Sequence, residues 1–140
     1  MLHASCVRLH GRGVLIQGAS GTGKSRLCAA LLGQGGWLVA DDAVRLENRQ
    51  GSLLAHRPDT IAGHLELRYL GLAVVPSLAC TRLHLVVMLT PSAPIERLPA
   101  PRVAGILGVV LPLITIAPDA IDQAGAHVPA AMARLIREVP

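Results

Sequence analysis

Aromatic side chains are almost missing from this 140-residue chain: Trp37 and Tyr69 are there, and phenylalanine is not. A groove that stacks bases or sugars on rings therefore has little to be built from, and the core must be Leu, Val, Ile and Ala. Lysine is scarcer still. Of 13 basic residues only Lys24 is a lysine. The arginines are dispersed, with no run of like charge to track a nucleic-acid backbone. A net charge of +4 fits a general attraction to anions and nothing sharper. Cys6, Cys28 and Cys80 are odd in number, far apart and without CxxC spacing, so they read as reduced, small hydrophobes of a cytosolic protein. There is no HExxH and no Cys/His cluster, which disfavours zinc.

A long hydrophobic run is also absent. The longest uncharged stretch, Val103 to Pro118, contains Pro112 and Thr115 and falls short of the ~20 residues that span a bilayer. It reads as buried strands. At the N-terminus His3, Ser5 and Arg8 interrupt any signal-peptide layout. The expectation is a soluble, cytoplasmic protein without a membrane or nucleic-acid partner. With 51% hydrophobic and 16% charged residues spread evenly, the chain is not disordered, and residues 1–140 suit one domain.

Short apolar runs alternate with helix-forming stretches. Val7 and Leu9 alternate with Arg8 and His10 as in a half-exposed strand, and Val14-Leu15-Ile16 reads as a buried one. Lys24 to Leu32 has helical composition and stops at Gly33, Gly35 and Gly36. Trp37 to Ala40 is a second buried strand. A hairpin is expected around Asn48-Arg49-Gln50-Gly51, and a short helix from Pro58 through Leu65. Arg82 to Leu89 reads as a strand, Pro91 to Pro101 as a loop and Val103 to Ile116 as strand-rich. Asp119 to Glu138 reads as a helix interrupted near Pro129. The class is α/β.

The strongest motif is Gly18-Ala19-Ser20-Gly21-Thr22-Gly23-Lys24-Ser25, which matches the G-x-x-x-x-G-K-[ST] phosphate loop. Glycines let successive backbone N–H groups turn inward into an anion-binding nest, and the loop feeds a helix N-terminus that also favours anions. Lys24, expected as an exposed loop lysine, reaches the β- and γ-phosphates, and Ser25 offers its hydroxyl to Mg²⁺. The motif sits where it must, after a Val-Leu-Ile strand and before an Ala/Leu-rich helix.

A phosphate loop needs a carboxylate for its metal, normally at the end of a neighbouring buried strand. Leu38-Val39-Ala40-Asp41-Asp42 supplies two. Adjacent strand residues point to opposite faces, so both serve only if the strand ends there and the backbone turns. One Asp then holds metal while the other accepts a proton; the plain alternative is that one caps the turn. Glu66 and Arg68 share a face of Leu65-Glu66-Leu67-Arg68, and a surface ion pair is the plain reading. His10, His56, His64, His84 and His127 read as surface or polar-core residues.

Together these segments resemble the catalytic domain of HPr kinase/phosphorylase, in the short form typical of proteobacteria. The resemblance rests on His3, on Gly13 to Ile16 with the phosphate loop, on Leu38 to Val44, and on Ile61-Ala62-Gly63-His64-Leu65-Glu66-Leu67-Arg68-Tyr69-Leu70-Gly71-Leu72. It implies a single domain similar to the phosphoenolpyruvate carboxykinase-like nucleotide-binding fold, using ATP and Mg²⁺ to phosphorylate a serine of the phosphocarrier protein HPr. By resemblance Asp41 is the catalytic base, while Ser25, Asp42 and Glu66 hold the metal. His3 approaches the transferred phosphate, and Arg97 in Glu96-Arg97-Leu98 is the later catalytic arginine. The resemblance is good from His3 to about Leu72 and looser beyond it. Leu113-Ile114-Thr115-Ile116-Ala117-Pro118-Asp119-Ala120 stands where a lysine and a Gly-Arg-Asn turn are usual, so the reverse phosphorolysis is expected to be weak.

Two other functions share the phosphate loop: a small-molecule kinase, and a non-catalytic ATP-binding sensor. Their discriminant is the acceptor. The family's hexamers, together with a mean hydropathy of +0.49, imply a homo-oligomer that buries an outward apolar patch.

Overall fold

The computed structural model of the chain describes residues 1–58, 67–70, 73–91 and 102–136. Strand β1 (Ser5–Leu9) turns back at His10-Gly11 into β2 (Arg12–Gln17), and the two pair antiparallel with Val7 opposite Val14. The phosphate loop follows, then α1 (Lys24–Leu32), then β3 (Trp37–Ala40), which pairs antiparallel with β1. The hairpin β4 (Arg45–Arg49) and β5 (Ser52–His56) closes at Gln50-Gly51, both at positive φ, as a two-residue hairpin turn requires. Strand β6 (Leu67–Leu70) pairs antiparallel with β7 (Ala73–Pro76) in a separate ribbon. The long β8 (Cys80–Leu89) joins β2 in parallel, and β9 (Arg102–Ile106) and β10 (Val109–Ile116) form the last hairpin. After a 3₁₀ turn comes α2 (Ile121–Leu135).

The main sheet has the order β3-β1-β2-β8-β10-β9, with the β4–β5 hairpin attached through β5 to the start of β8. This is a strand-rich α/β fold. One face of the sheet packs on both helices: Val7, Leu9, Val14, Ile16, Leu85, Val87 and Ile114 meet Leu27 and Leu31 of α1 and Val128 and Met132 of α2. The opposite face buries Cys6, Leu15, Val39, Leu83 and Val86 against Leu53 and Ala55 of the hairpin. Strand β2 is covered on both sides, which explains why its run of Val, Leu and Ile does not alternate. Each such side chain contributes about 1.5–3 kcal/mol on burial.

One expectation about the helices changes. Helix α2 runs through Pro129 without a break. The proline removes one amide donor, but the face formed by Ile121, Val128, Ala131 and Met132 is buried, and that packing holds the helix on course. The helix expected over Pro58 to Leu65 and most of the Pro91 to Pro101 loop lie outside the described residues. No helix among those described is long and apolar enough to cross a membrane.

Candidate active site at the phosphate loop

Three elements converge on the site. Strand β2 delivers Gly18, α1 begins at Lys24, and β3 ends at Ala40 beside them. Gly21 and Gly23 take positive φ values of 82° and 101°, which side chains with a Cβ rarely adopt. Gly23 has a second constraint, because a Cβ there would collide with the Ile121 side chain at the start of α2. Thr22 closes the loop on itself, its amide and hydroxyl both donating to the Ala19 carbonyl at 3.2 and 2.6 Å. Helix α1 starts with no side-chain cap and no acidic residue in its first turn. Its free amides and dipole are thus left for an anion.

Lys24 is buried, with 6% of its surface exposed, contrary to the expectation of an exposed loop lysine. Its ammonium donates to the Gly18 and Ala19 carbonyls at 2.9 and 3.3 Å and stands 3.9 Å from Asp42 Oδ1. The charge is therefore held inside the loop, where the carbonyls and the nearby carboxylate compensate for lost water.

The two aspartates part company at the end of β3. Asp41 turns toward α1: its Oδ1 accepts from Ser25 Oγ and from Ser5 Oγ, each at 3.1 Å, and Oδ2 lies 3.4 Å from Ser25 Oγ. Asp42 adopts a left-handed conformation, φ 69°, and turns its carboxylate to the other side. There Oδ1 stands 3.2 Å from His3 Nε2. His3 is placed by a backbone bridge in which the Leu2 and Val44 amides each donate to the other's carbonyl at 2.9 Å, and its Nε2 is 3.4 Å from Ser20 Oγ. The pair is half exposed, so in water it orients the groups more than it stabilises the fold. Beneath the corner, burial pushes the Cys28 thiol up to about 12; the Asp41 charge adds to this and a hydrogen bond with Ser5 opposes it. Burial likewise raises the Cys6 thiol well above its ordinary value. Both stay protonated at neutral pH.

The result is an open pocket of about 430 Å³ lined by Ser20, Gly21, Gly23, Lys24, Ser25, Arg26, Asp41 and Asp42. It joins anion-binding amides and one buried cation to two carboxylates, the equipment phosphoryl transfer needs. His3, Ser20, Lys24, Ser25, Asp41 and Asp42 come together as expected from the sequence. Glu66 and Arg97 lie outside the described residues, and Arg68 is placed only as a member of β6 opposite Val75. Ser5 and Ile121 were not legible as site residues. A serine inside a small apolar run of β1 was the available signal for the first, and the second had none.

A family model described as the HPr serine kinase C-terminal domain matches residues 1–117. The HPr kinase/phosphorylase of Clostridium tetani is 46% identical over 77 residues, which is 55% of this chain and 25% of that protein. That of Clostridium acetobutylicum is 40% identical over the same extent. The matched stretch thus spans about a quarter of these curated relatives. The solved structure of the HPr(Ser) kinase/phosphatase from Coxiella burnetii superimposes with a TM-score of 0.76 at 24% identity, covering 95% of this chain and 96% of that one. That likeness establishes the fold. With the family model extending from β1 to the end of β10, this chain belongs to the HPr serine kinase C-terminal domain family.

Proposed function

We propose that the chain is an ATP- and Mg²⁺-dependent kinase that phosphorylates a serine of HPr. The observation that carries the reading is the gathering of the phosphate-loop amides, Lys24 and two divergent carboxylates around one open pocket. The names of the relatives support HPr as the acceptor. The donor set fits Mg²⁺: Ser25 Oγ and the Asp41 carboxylate are already in contact, and Asp42 lies across the same pocket. Mg²⁺ takes oxygen ligands, often one or two carboxylates with several waters retained. When bound it neutralises charge on the β- and γ-phosphate oxygens.

The geometry favours exchanging the roles that the resemblance implied for the two aspartates. In phosphate-loop enzymes the loop hydroxyl and a strand-end carboxylate act together on the metal, and here the hydroxyl of Ser25 touches Asp41, not Asp42. Asp41 is therefore the metal-side carboxylate, joined through the resemblance by Glu66. Asp42, whose Oδ1 stands 3.9 Å from Lys24 Nζ and 3.2 Å from His3 Nε2, is then the carboxylate left to act as the base. The acceptor serine gives its proton to the Asp42 carboxylate. Its oxygen bonds to the γ-phosphorus as the bond from phosphorus to the bridging oxygen breaks, and ADP leaves. Lys24 and the loop amides hold the phosphates, and by resemblance His3 approaches the transferred group and Arg97 stabilises it.

The reaction belongs in the cytoplasm, consistent with three free cysteines. Val103 and Val110 on the β9–β10 ribbon are 69% and 66% exposed, and they support burial of that ribbon in a homo-oligomer, a hexamer by resemblance. Incubation with γ-labelled ATP, Mg²⁺ and HPr tests the function: one serine of HPr becomes labelled. Label appearing in a metabolite pool and not in HPr makes the chain a small-molecule kinase. Nucleotide binding with no transfer to either makes it a sensor module.

A further inference from the structure

Both faces of the aspartate corner depend on one hydroxyl that no part of the phosphate-loop motif contains. Ser5 is fully buried at the start of β1. Its Oγ donates to Asp41 Oδ1 at 3.1 Å and accepts the Asp42 amide at 3.1 Å. The neighbouring Cys6 is opposite Ala40, the last residue of β3, so Ser5 meets the chain where it leaves the sheet. Beyond that point Asp42 is left-handed, a conformation that costs a non-glycine residue of order 1 kcal/mol and persists only when its surroundings enforce it. The Ser5 hydroxyl supplies the acceptor that fixes the Asp42 amide in this turn. The same oxygen gives its proton to Asp41, which shares Oδ1 between Ser5 and Ser25.

We propose that Ser5 is a positioning residue of the transfer site: its buried hydroxyl locks the Asp41-Asp42 corner so that one carboxylate faces the loop serine and the other faces Lys24 and His3. It touches neither nucleotide nor acceptor and acts through the two aspartates. The proposal rests on the reading of the site as a phosphoryl-transfer centre, but its geometry can be tested separately. Partners of this kind change metal affinity or activity by about 10- to 100-fold when removed, because a small misplacement of reacting groups is costly.

The test compares wild type with Ser5→Ala in the full chain by three readouts. Expected for Ser5→Ala is a kcat for transfer to HPr lower by about 10- to 100-fold, with KM for ATP changed less than about threefold. Mn²⁺, titrated without nucleotide, binds more weakly. Exchange of the Asp42 amide is faster by about tenfold, the loss of one hydrogen bond, while the Val7 and Val14 amides of the β1–β2 ladder exchange as in wild type. A general loss of packing would accelerate those ladder amides too, and that outcome overturns the proposal. So does an Asp42 amide as protected in Ser5→Ala as in wild type, or unchanged kcat and Mn²⁺ affinity together. A wild-type chain that transfers nothing to HPr overturns the kinase reading alone; the amide and Mn²⁺ readouts then still decide the role of Ser5.

Discussion

The region from His3 to Asp42 and the region from Arg102 to Ile136 share one sheet and divide its work. In the first, polar atoms are paired with other polar atoms at specific distances: Ser5 and Ser25 with Asp41, His3 and Lys24 with Asp42. The second contributes apolar surface, with Leu111, Ile114, Ile116, Ile121, Val128 and Met132 buried. The family model covers the first region together with β9 and β10 of the second, and ends at Ala117, before α2. Hydrogen bonding restricts residue identity where polar atoms must meet at a fixed distance. Packing accepts any apolar residue of suitable volume. The two regions touch at Gly23 and Ile121, where the C-terminal scaffold supports the phosphate loop from below.

Lys24→Ala has the largest expected effect and tests whether the first region carries the chemistry. Transfer falls by about 10²- to 10³-fold, the usual loss on removing a preorganised charge donor. The melting temperature also moves, because the ammonium is buried against two loop carbonyls. Kinase assay and calorimetry read the two effects.

Ile121→Ala asks whether the second region is only scaffold. Removing a buried isoleucine side chain costs about 2–5 kcal/mol, measured by urea unfolding. If the loop leans on it, KM for ATP rises as well; an unchanged KM would separate the two regions energetically.

Thiol accessibility sharpens the contrast at lower amplitude. Cys80 is exposed while Cys6 and Cys28 are buried and protonated. One thiol per chain should react quickly with a disulfide reagent, and all three only after unfolding.

The smallest effect lies away from the site, on the β4–β5 hairpin. A hydrogen bond with His56, then contacts with Arg49, hold the Glu47 carboxyl below its ordinary value. A carboxyl depressed in the folded state adds stability above its unfolded pKa and loses it as pH falls through the folded one. His56→Ala should therefore flatten the acid side of the stability curve slightly, without changing transfer.

How much could be read in advance follows the same division. The phosphate loop, α1 and the aspartate pair were legible because Gly, Lys, Ser and Asp at those spacings serve few other purposes. The β4–β5 hairpin was legible from its turn residues. Strand β8 was expected from Arg82 and begins at Cys80, since edge pairing with β5 extends it. Pro129 misled because local propensity was read without the buried face that overrides it. Lys24 misled because a loop lysine looks exposed until its carbonyl partners are seen. The directions of Asp41 and Asp42 depend on one positive φ and on Ser5, far away in sequence, and no local pattern encodes either.

The division of labour between the two aspartates is the most exposed claim, and paired single-turnover assays with Mn²⁺ titration test it directly. Asp42→Asn should bind Mn²⁺ and nucleotide nearly as wild type does while transfer to HPr falls by about 10²- to 10⁴-fold, the range for losing a general base. Asp41→Asn should weaken Mn²⁺ binding and recover part of its transfer as metal is raised. The reverse pattern, with Asp42→Asn rescued by metal and Asp41→Asn retaining Mn²⁺ without transfer, would contradict the account.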